Sequence, residues 1–174
     1  MPFNPKYKDM IGNKSKEEKK GRLFFLNVKD GKIVHKDGLL TNEYDFVEGT
    51  LESITQKERE FNGETLLYWY LNLRDDSGDL YSLGLPYSSG VFKSIILSLA
   101  GDENLTPLST VRIETYLKDG FTKVKVYDGD KSLDWIVKQL PPVQEVKVGG
   151  KTIKDDTERM KYIASLVEAI QKRI

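Results

Sequence analysis

Cysteine is missing from this 174-residue chain, and histidine occurs once. The first absence removes disulfides, thiolate nucleophiles and cysteine-ligated zinc or iron–sulfur centres together. The second leaves His35 as the sole imidazole. Nothing near it in GKIVHKDG reads as a nucleophile or an orienting partner, so His35 is expected to be an ordinary strand residue. No stretch approaches the roughly 18 apolar residues of a membrane helix. The opening MPFNPKYKDMIGNKSKEEKKG has neither the apolar stretch nor the cleavage site of a secretory signal, so a cytoplasmic location without membrane contact is expected. GxxxxGK[ST], GxGxxG and HExxH motifs are absent. Acidic clusters occur at Asp75-Asp76 with Asp79, at Asp128 with Asp130, and at Asp155-Asp156 with Glu158. All sit at turns or a helix start, where aspartate is favoured for its backbone hydrogen bonds. No enzymatic activity, metal or cofactor is therefore expected.

Net charge is also lacking, with 27 basic and 27 acidic residues, but the balance is uneven along the chain. Residues 1–36 carry ten basic and four acidic groups, residues 37–110 four and thirteen, and residues 111–174 thirteen and ten. A neutral total argues against an all-over cationic coat, yet leaves room for a local basic stripe.

What is present is mostly alternation. Residues 1–21, with Pro2, Pro5 and KSKEEKK, read as a flexible basic segment. RLFFLNVKDGKIVHKDG reads as a hairpin turned at Asp30-Gly31. A strand follows from Tyr44 to about Thr55, with Gly49 placed to allow a bend. QKEREFNGE then reads as a polar turn, Thr65–Arg74 as a second strand, and Leu80–Leu85 as a third. The period changes after Pro86: Ser88 or Ser89 caps a helix with an apolar face of Val91, Phe92, Ile95, Ile96 and Leu99, and Gly101 stops it. Two further strands, turned at Asp119-Gly120, complete the order strand, strand, strand, helix, strand, strand. That is the order of an OB-fold, a five-stranded Greek-key barrel with a helix between its third and fourth strands. The expected fold is thus mainly β: this barrel with an amino-terminal hairpin over residues 22–135. An extension over residues 136–174 is expected to run through an extended Pro-Gly segment into an amphipathic helix. Asp155 or Asp156 would cap that helix, and Met160, Ile163, Leu166, Val167 and Ile170 would form its apolar stripe.

Sorting the strands by face sharpens the functional question. In LLYWYLNLR, one row runs Leu67, Trp69, Leu71, Leu73 and reads as core; the other runs Leu66, Tyr68, Tyr70, Asn72, Arg74. In the fourth strand Val111, Ile113, Thr115 and Leu117 face inward, and Arg112, Glu114, Tyr116 and Lys118 outward. In the fifth, Val124 and Val126 oppose Phe121, Lys123, Lys125 and Tyr127. Rings interleaved with cations suit single-stranded nucleic acid, whose unstacked bases offer flat faces beside a regular row of phosphates. Tyrosine and lysine on outer strands also serve as sheet cover and as protection against edge pairing.

The segments FFLNVKDGKIV, VEGTLESIT, WYLNLRDDSGDLYSLGLPYSSGVFKSIILSLAG and LDWIVKQLPP, from Phe24 onward, resemble a group of phage-associated OB-fold proteins that bind single-stranded DNA. The resemblance implies a barrel that coats DNA exposed during replication or recombination and performs no chemistry. Many replicative binders of this kind end in an acidic tail, whereas this chain ends in AIQKRI. The candidate contacts are Tyr68, Tyr70, Arg74, Tyr116, Phe121, Lys123, Lys125 and Tyr127. Lys57 and Arg59, in the loop after the first barrel strand, join them as backbone clamps, and Arg22 with the amino-terminal lysines adds a screened electrostatic attraction. The competing expectation is a protein-interaction module in which the same surface and the closing helix form a homo-oligomer or a partner interface.

Overall fold

Three X-Gly pairs set three of the hairpins of this protein. The computed structural model describes residues 21–174, so residues 1–20 of the segment expected to be flexible, with their lysines, lie outside the described residues. Asp30-Gly31, Asn62-Gly63 and Asp119-Gly120 each hold two successive positive φ angles, the backbone of a type I′ turn that matches the right-handed twist of paired strands. They join β1 (Leu23–Lys29) to β2 (Lys32–Asp37), β4 (Phe46–Phe61) to β5 (Glu64–Arg74), and β7 (Thr110–Lys118) to β8 (Phe121–Asp128). Between these lie β3 (Leu40–Tyr44), β6 (Leu80–Pro86), helix α1 (Gly90–Ala100) and the short β9 (Lys131–Ser132). The chain closes with β10 (Gln144–Val148), β11 (Lys151–Asp155) and α2 (Thr157–Gln171).

The fold is mainly β, as expected, but it is not a closed five-stranded barrel. One nine-stranded sheet runs in the order β3-β2-β1-β6-β5-β4-β7-β8-β9, and β10-β11 stand apart as a two-stranded ribbon. β6 does not reach β8; β1 takes that edge instead, pairing parallel to β6 from Leu23↔Leu80 to Leu26↔Leu83. The physical reason lies in β1 itself. Its alternation sends Phe24 and Leu26 into the core, and its backbone satisfies β6 groups that would otherwise be unpaired. β3 is an added strand, and it runs through Asp45 directly into β4. The Asp45 carbonyl accepts from Thr115 N–H at 3.0 Å, and its carboxylate pairs with Lys32.

The tip of the β1–β2 hairpin leans on β7 and β8. Gly31 N–H donates to Thr122 Oγ1 at 3.0 Å, and a Cβ on Gly31 would fall 2.7 Å from Leu117 Cγ and 2.8 Å from Leu117 N. Leu117 was expected in the core; it is half exposed and packs on this turn instead. Gly49, expected to allow a bend, is a point of close approach between strands. Its Cα faces the Arg74 carbonyl, where a Cβ would fall 2.6 Å from the oxygen, and the ladder itself slips by a residue between Leu51 and Ser53.

One core cluster unites the sheet with both helices. Ser89 Oγ caps α1 by accepting from Phe92 N–H, and Gly101 ends it. The Trp69 indole stacks against Phe92 at 4.7 Å and Tyr87 at 5.8 Å, and donates to the Tyr87 carbonyl. In α2 the whole expected stripe, Met160, Ile163, Leu166, Val167 and Ile170, is buried. Its amino end is held by Asp155, which accepts from Thr157 N–H, while Asp156 occupies the cap position without a side-chain bond. The segment expected to be extended before it contains the β10–β11 hairpin, turned at Gly149-Gly150. Among the described residues no helix is long and apolar enough to cross a membrane.

Candidate nucleic-acid interface

The outward row of β5 does face outward. Trp69, Leu71 and Leu73 are buried in the core, Leu67 is only partly covered, and Tyr68 and Tyr70 lie half-buried on the opposite face. Their rings are 6.4 Å apart and inclined by 32°. Lys57 and Arg59 are not in a loop: β4 continues to Phe61 because Asn62-Gly63 makes a two-residue turn. The register then sets Lys57 opposite Tyr68, Thr55 opposite Tyr70 and Arg59 opposite Leu66. As a result the Arg59 guanidinium sits 4.6 Å from the Tyr68 ring centre, and the Lys57 ammonium 6.0 Å from that of Tyr70. Each ring carries a cation at cation–π distance.

Across β5 lies Gly84 of β6, paired with Tyr70. A Cβ there would fall 2.8 Å from Tyr70 Cε1, so the missing side chain is what lets the tyrosine ring lean over β6 toward β1. On β1, Phe24 is 7% exposed and Phe25 58%. Phe25 is in register with Ser82 of β6, itself opposite Asn72 of β5, so it stands on the outer face one step along from Gly84. Phe25 is an exposed ring on this face that was not among the expected contacts. The signal was available, because two adjacent phenylalanines in one strand must point to opposite faces. Between these rings Asn72 ties three strands together, donating to Ser53 and Thr55 and accepting from Ser82 Oγ.

Other expected contacts are already engaged. Arg74 forms a two-pronged ion pair with Glu52 and donates to the Gly78 carbonyl at 2.7 Å; this pairing holds its guanidinium charge more firmly and makes it a brace of the β5–β6 turn. Arg22 lies with its guanidinium 5.4 Å from the Phe24 ring, and its backbone N–H donates to the Asp79 carboxylate. On the β7–β8 face Arg112 bridges Glu48 and Glu114 while covering the Phe46 ring at 4.2 Å. Lys125 and Tyr127 stand directly opposite Glu114 and Arg112, inside that ion-paired zone. His35 packs edge-on against Phe24 at 5.3 Å, and burial lowers its pKa.

Tyr116, Phe121 and Lys123 form a second patch. Tyr116 and Lys123 are cross-strand partners, Phe121 is 68% exposed, and the Lys123 ammonium lies 6.0 Å from its ring. The expected single ribbon is therefore two patches. Arg59, Tyr68, Lys57 and Tyr70 sit at one end of the 16-residue β4, and Tyr116, Phe121 and Lys123 beyond the other. The ion pairs of Glu48, Glu52, Arg74 and Arg112 lie between.

The acidic clusters are used structurally. Asp75 accepts from Ser77 N–H, Ser77 Oγ, Asp79 N–H and the Tyr81 hydroxyl, whose own pKa burial raises. Among the described residues no three His, Asp or Glu side chains converge as metal ligands. Asp128 belongs to a different pair. Burial and the neighbouring carboxyl of the fully buried Asp102 push Asp128 up to about 6. A raised folded-state pKa stabilises the fold below the unfolded carboxyl range, and that contribution is lost as pH rises through about 6. Asp128→Asn should flatten urea midpoints measured from pH 4 to 8. At pH 8 it should stabilise by about 1–2 kcal/mol, allowing for solvent screening of a partly exposed group.

Comparison with protein-family models, with curated proteins and with solved structures finds no match for this chain, so its reading rests on its own residues and geometry.

Proposed function

We propose that this protein binds single-stranded DNA with little sequence preference through the outer face of β4, β5, β6 and β1. The observation that carries the reading is the pairing of two neighbouring tyrosine rings, each with its own cation, on a face where Gly84 makes room for the Tyr70 ring and exposed Phe25 adds another ring. Rings bind bases without choosing among them, and cations hold the phosphates. The strand pairings β4–β5, β5–β6, β4–β7 and β7–β8, with α1 between β6 and β7, also suit an OB-like core whose edge is covered by an added hairpin. In OB-fold barrels the face of the second and third strands takes oligonucleotides, and on the proposed correspondence those strands would be β5 and β6. The role is to coat exposed DNA during replication or recombination, without chemistry.

Anisotropy titrations of a labelled dT oligomer at about 50 and about 200 mM salt test this. Affinity should fall steeply with salt, and Lys57→Ala and Arg59→Ala should each lower the log–log slope by about 0.7, the value for one single-strand phosphate contact. Absence of binding at the lower salt would reject the reading. Exposed Leu23 and Phe25 on the same face favour a second reading, an interface with another protein chain or a second copy. Light scattering that shows a dimer dispersed by Phe25→Ser and indifferent to oligonucleotide would favour it.

A further inference from the structure

We propose that a separate cavity, between the first turn of α1, β8 and residues 135–140, binds one nucleoside 5′-monophosphate unit, either as a free nucleotide or as the phosphorylated end of a strand. The cavity encloses about 620 Å³, within the usual range for small-molecule sites. Its lining combines two chemistries. Tyr116, Phe121 and Trp135 supply flat apolar surface, and Trp135 is 45% exposed although it is among the largest apolar side chains in the protein. Lys93, Lys123 and Arg159 supply three cations, and Ser89 and Gly90 place the opening of α1 on the same wall. The first N–H groups of a helix have no intrahelical acceptor, so those other than Phe92 N–H, which Ser89 Oγ holds, add to the attraction for an anion.

The cations are largely unspent on acids. Arg159 donates through Nε to the Pro141 carbonyl, a neutral acceptor, and Asp156 is the carboxylate that acts on Lys93. Burial, with Arg159 nearby, lowers the Lys93 pKa, a cost that a bound anion relieves. A ligand that satisfies this lining needs a flat ring to lie against aromatic side chains and a compact, multiply charged group a few ångströms away. A nucleobase joined to a phosphate has both. Phosphate alone leaves the rings bare, and a nucleoside alone leaves three cations unanswered.

This site stands on different residues from the β4–β5 platform, so the two can be tested apart. The chain has two tryptophans, and Trp69 is buried in its stack with Phe92 and Tyr87, so fluorescence quenching on titration with dTMP reports Trp135. Quenching by dTMP is expected, with thymidine and inorganic phosphate each at least about tenfold weaker, the size of one lost charge-assisted or stacking contact. Lys123→Gln and Arg159→Gln should weaken dTMP about tenfold in calorimetry. Gly90→Leu, which adds bulk where a Cβ meets open space, checks the cavity without disturbing the core. The platform variant carrying Tyr68→Ala and Tyr70→Ala should keep the dTMP response. A 5′-phosphorylated dT tetramer that binds tighter than both dTMP and its 5′-hydroxyl counterpart identifies a strand end as the source; equal binding of dTMP and tetramer identifies the free nucleotide. Phosphate binding as tightly as dTMP, or dTMP binding that Lys123→Gln and Arg159→Gln leave unchanged, overturns the proposal.

Discussion

Replacing Tyr68 and Tyr70 together by alanine should weaken binding of a dT oligomer by between about 30-fold and about 10⁴-fold, two stacked bases at about 1–3 kcal/mol each. The loss should persist at every salt concentration, because stacking releases no counterions, whereas the effect of Lys57→Ala shrinks as salt rises. Tyr70→Phe separates the ring from its hydroxyl and should bind almost normally. The rings lie on the outer face and their removal spares Trp69 and its stack, so circular dichroism should show an intact fold. Phe25→Ala extends the test to a residue on a distant part of the chain. A loss comparable to that of one tyrosine would join β1 to the platform, and a double tyrosine variant that binds like the parent protein would end the nucleic-acid assignment.

Gly31→Ala should destabilise the fold by about 3–5 kcal/mol in urea denaturation. Two costs combine there. A left-handed backbone is worth about 1–3 kcal/mol against a residue with a Cβ. The added methyl also meets Leu117 Cγ at 2.7 Å and main-chain atoms of Tyr116 and Leu117 below 3 Å, so the hairpin must lift from β7. Gly63→Ala is the matched control. Its φ is +82° against +79° at Gly31, yet a Cβ there meets nothing within 4 Å, so it carries the backbone cost alone. The difference between the two variants measures how tightly the β1–β2 tip is docked. Equal losses would mean that the hairpin does not rest on β7 in solution.

Local chemistry was the legible part of the sequence. Asp30-Gly31, Asn62-Gly63 and Asp119-Gly120 specify their turns by φ alone, Ser89 and Gly101 bound α1, and the stripe from Met160 to Ile170 tells which side of α2 is buried. The sorting of Trp69 inward and Tyr68 and Tyr70 outward followed from strand period. What failed was non-local. Nothing in LFFLNVK names β6 as its neighbour, because a parallel partner 57 residues away leaves no mark on the local pattern, and the inferred barrel closure failed with it. Lys57 and Arg59 were read as loop residues because QKEREF is polar, but a strand that runs beyond the core needs no apolar row. Arg74 was expected to be a free contact residue; Glu52 reaches it only through strand register and the bulge at Glu52, and Glu48 reaches Arg112 across the β4–β7 register in the same way. β10–β11 is exposed along almost its whole length, so burial gave it no signature.

The placement of β1 between β2 and β6 has a consequence for how the protein is made. The segment Leu23–Lys29 is synthesised before the strand that covers its second edge, Leu80–Pro86, which follows more than fifty residues later. At about 5–20 residues per second, the nascent β1–β2–β3 unit spends several seconds with one backbone edge bare and Phe24 and Leu26 without a core. During that interval the growing chain offers a docking edge to neighbouring nascent chains, and dense polysomes are where misassembly of this protein should concentrate.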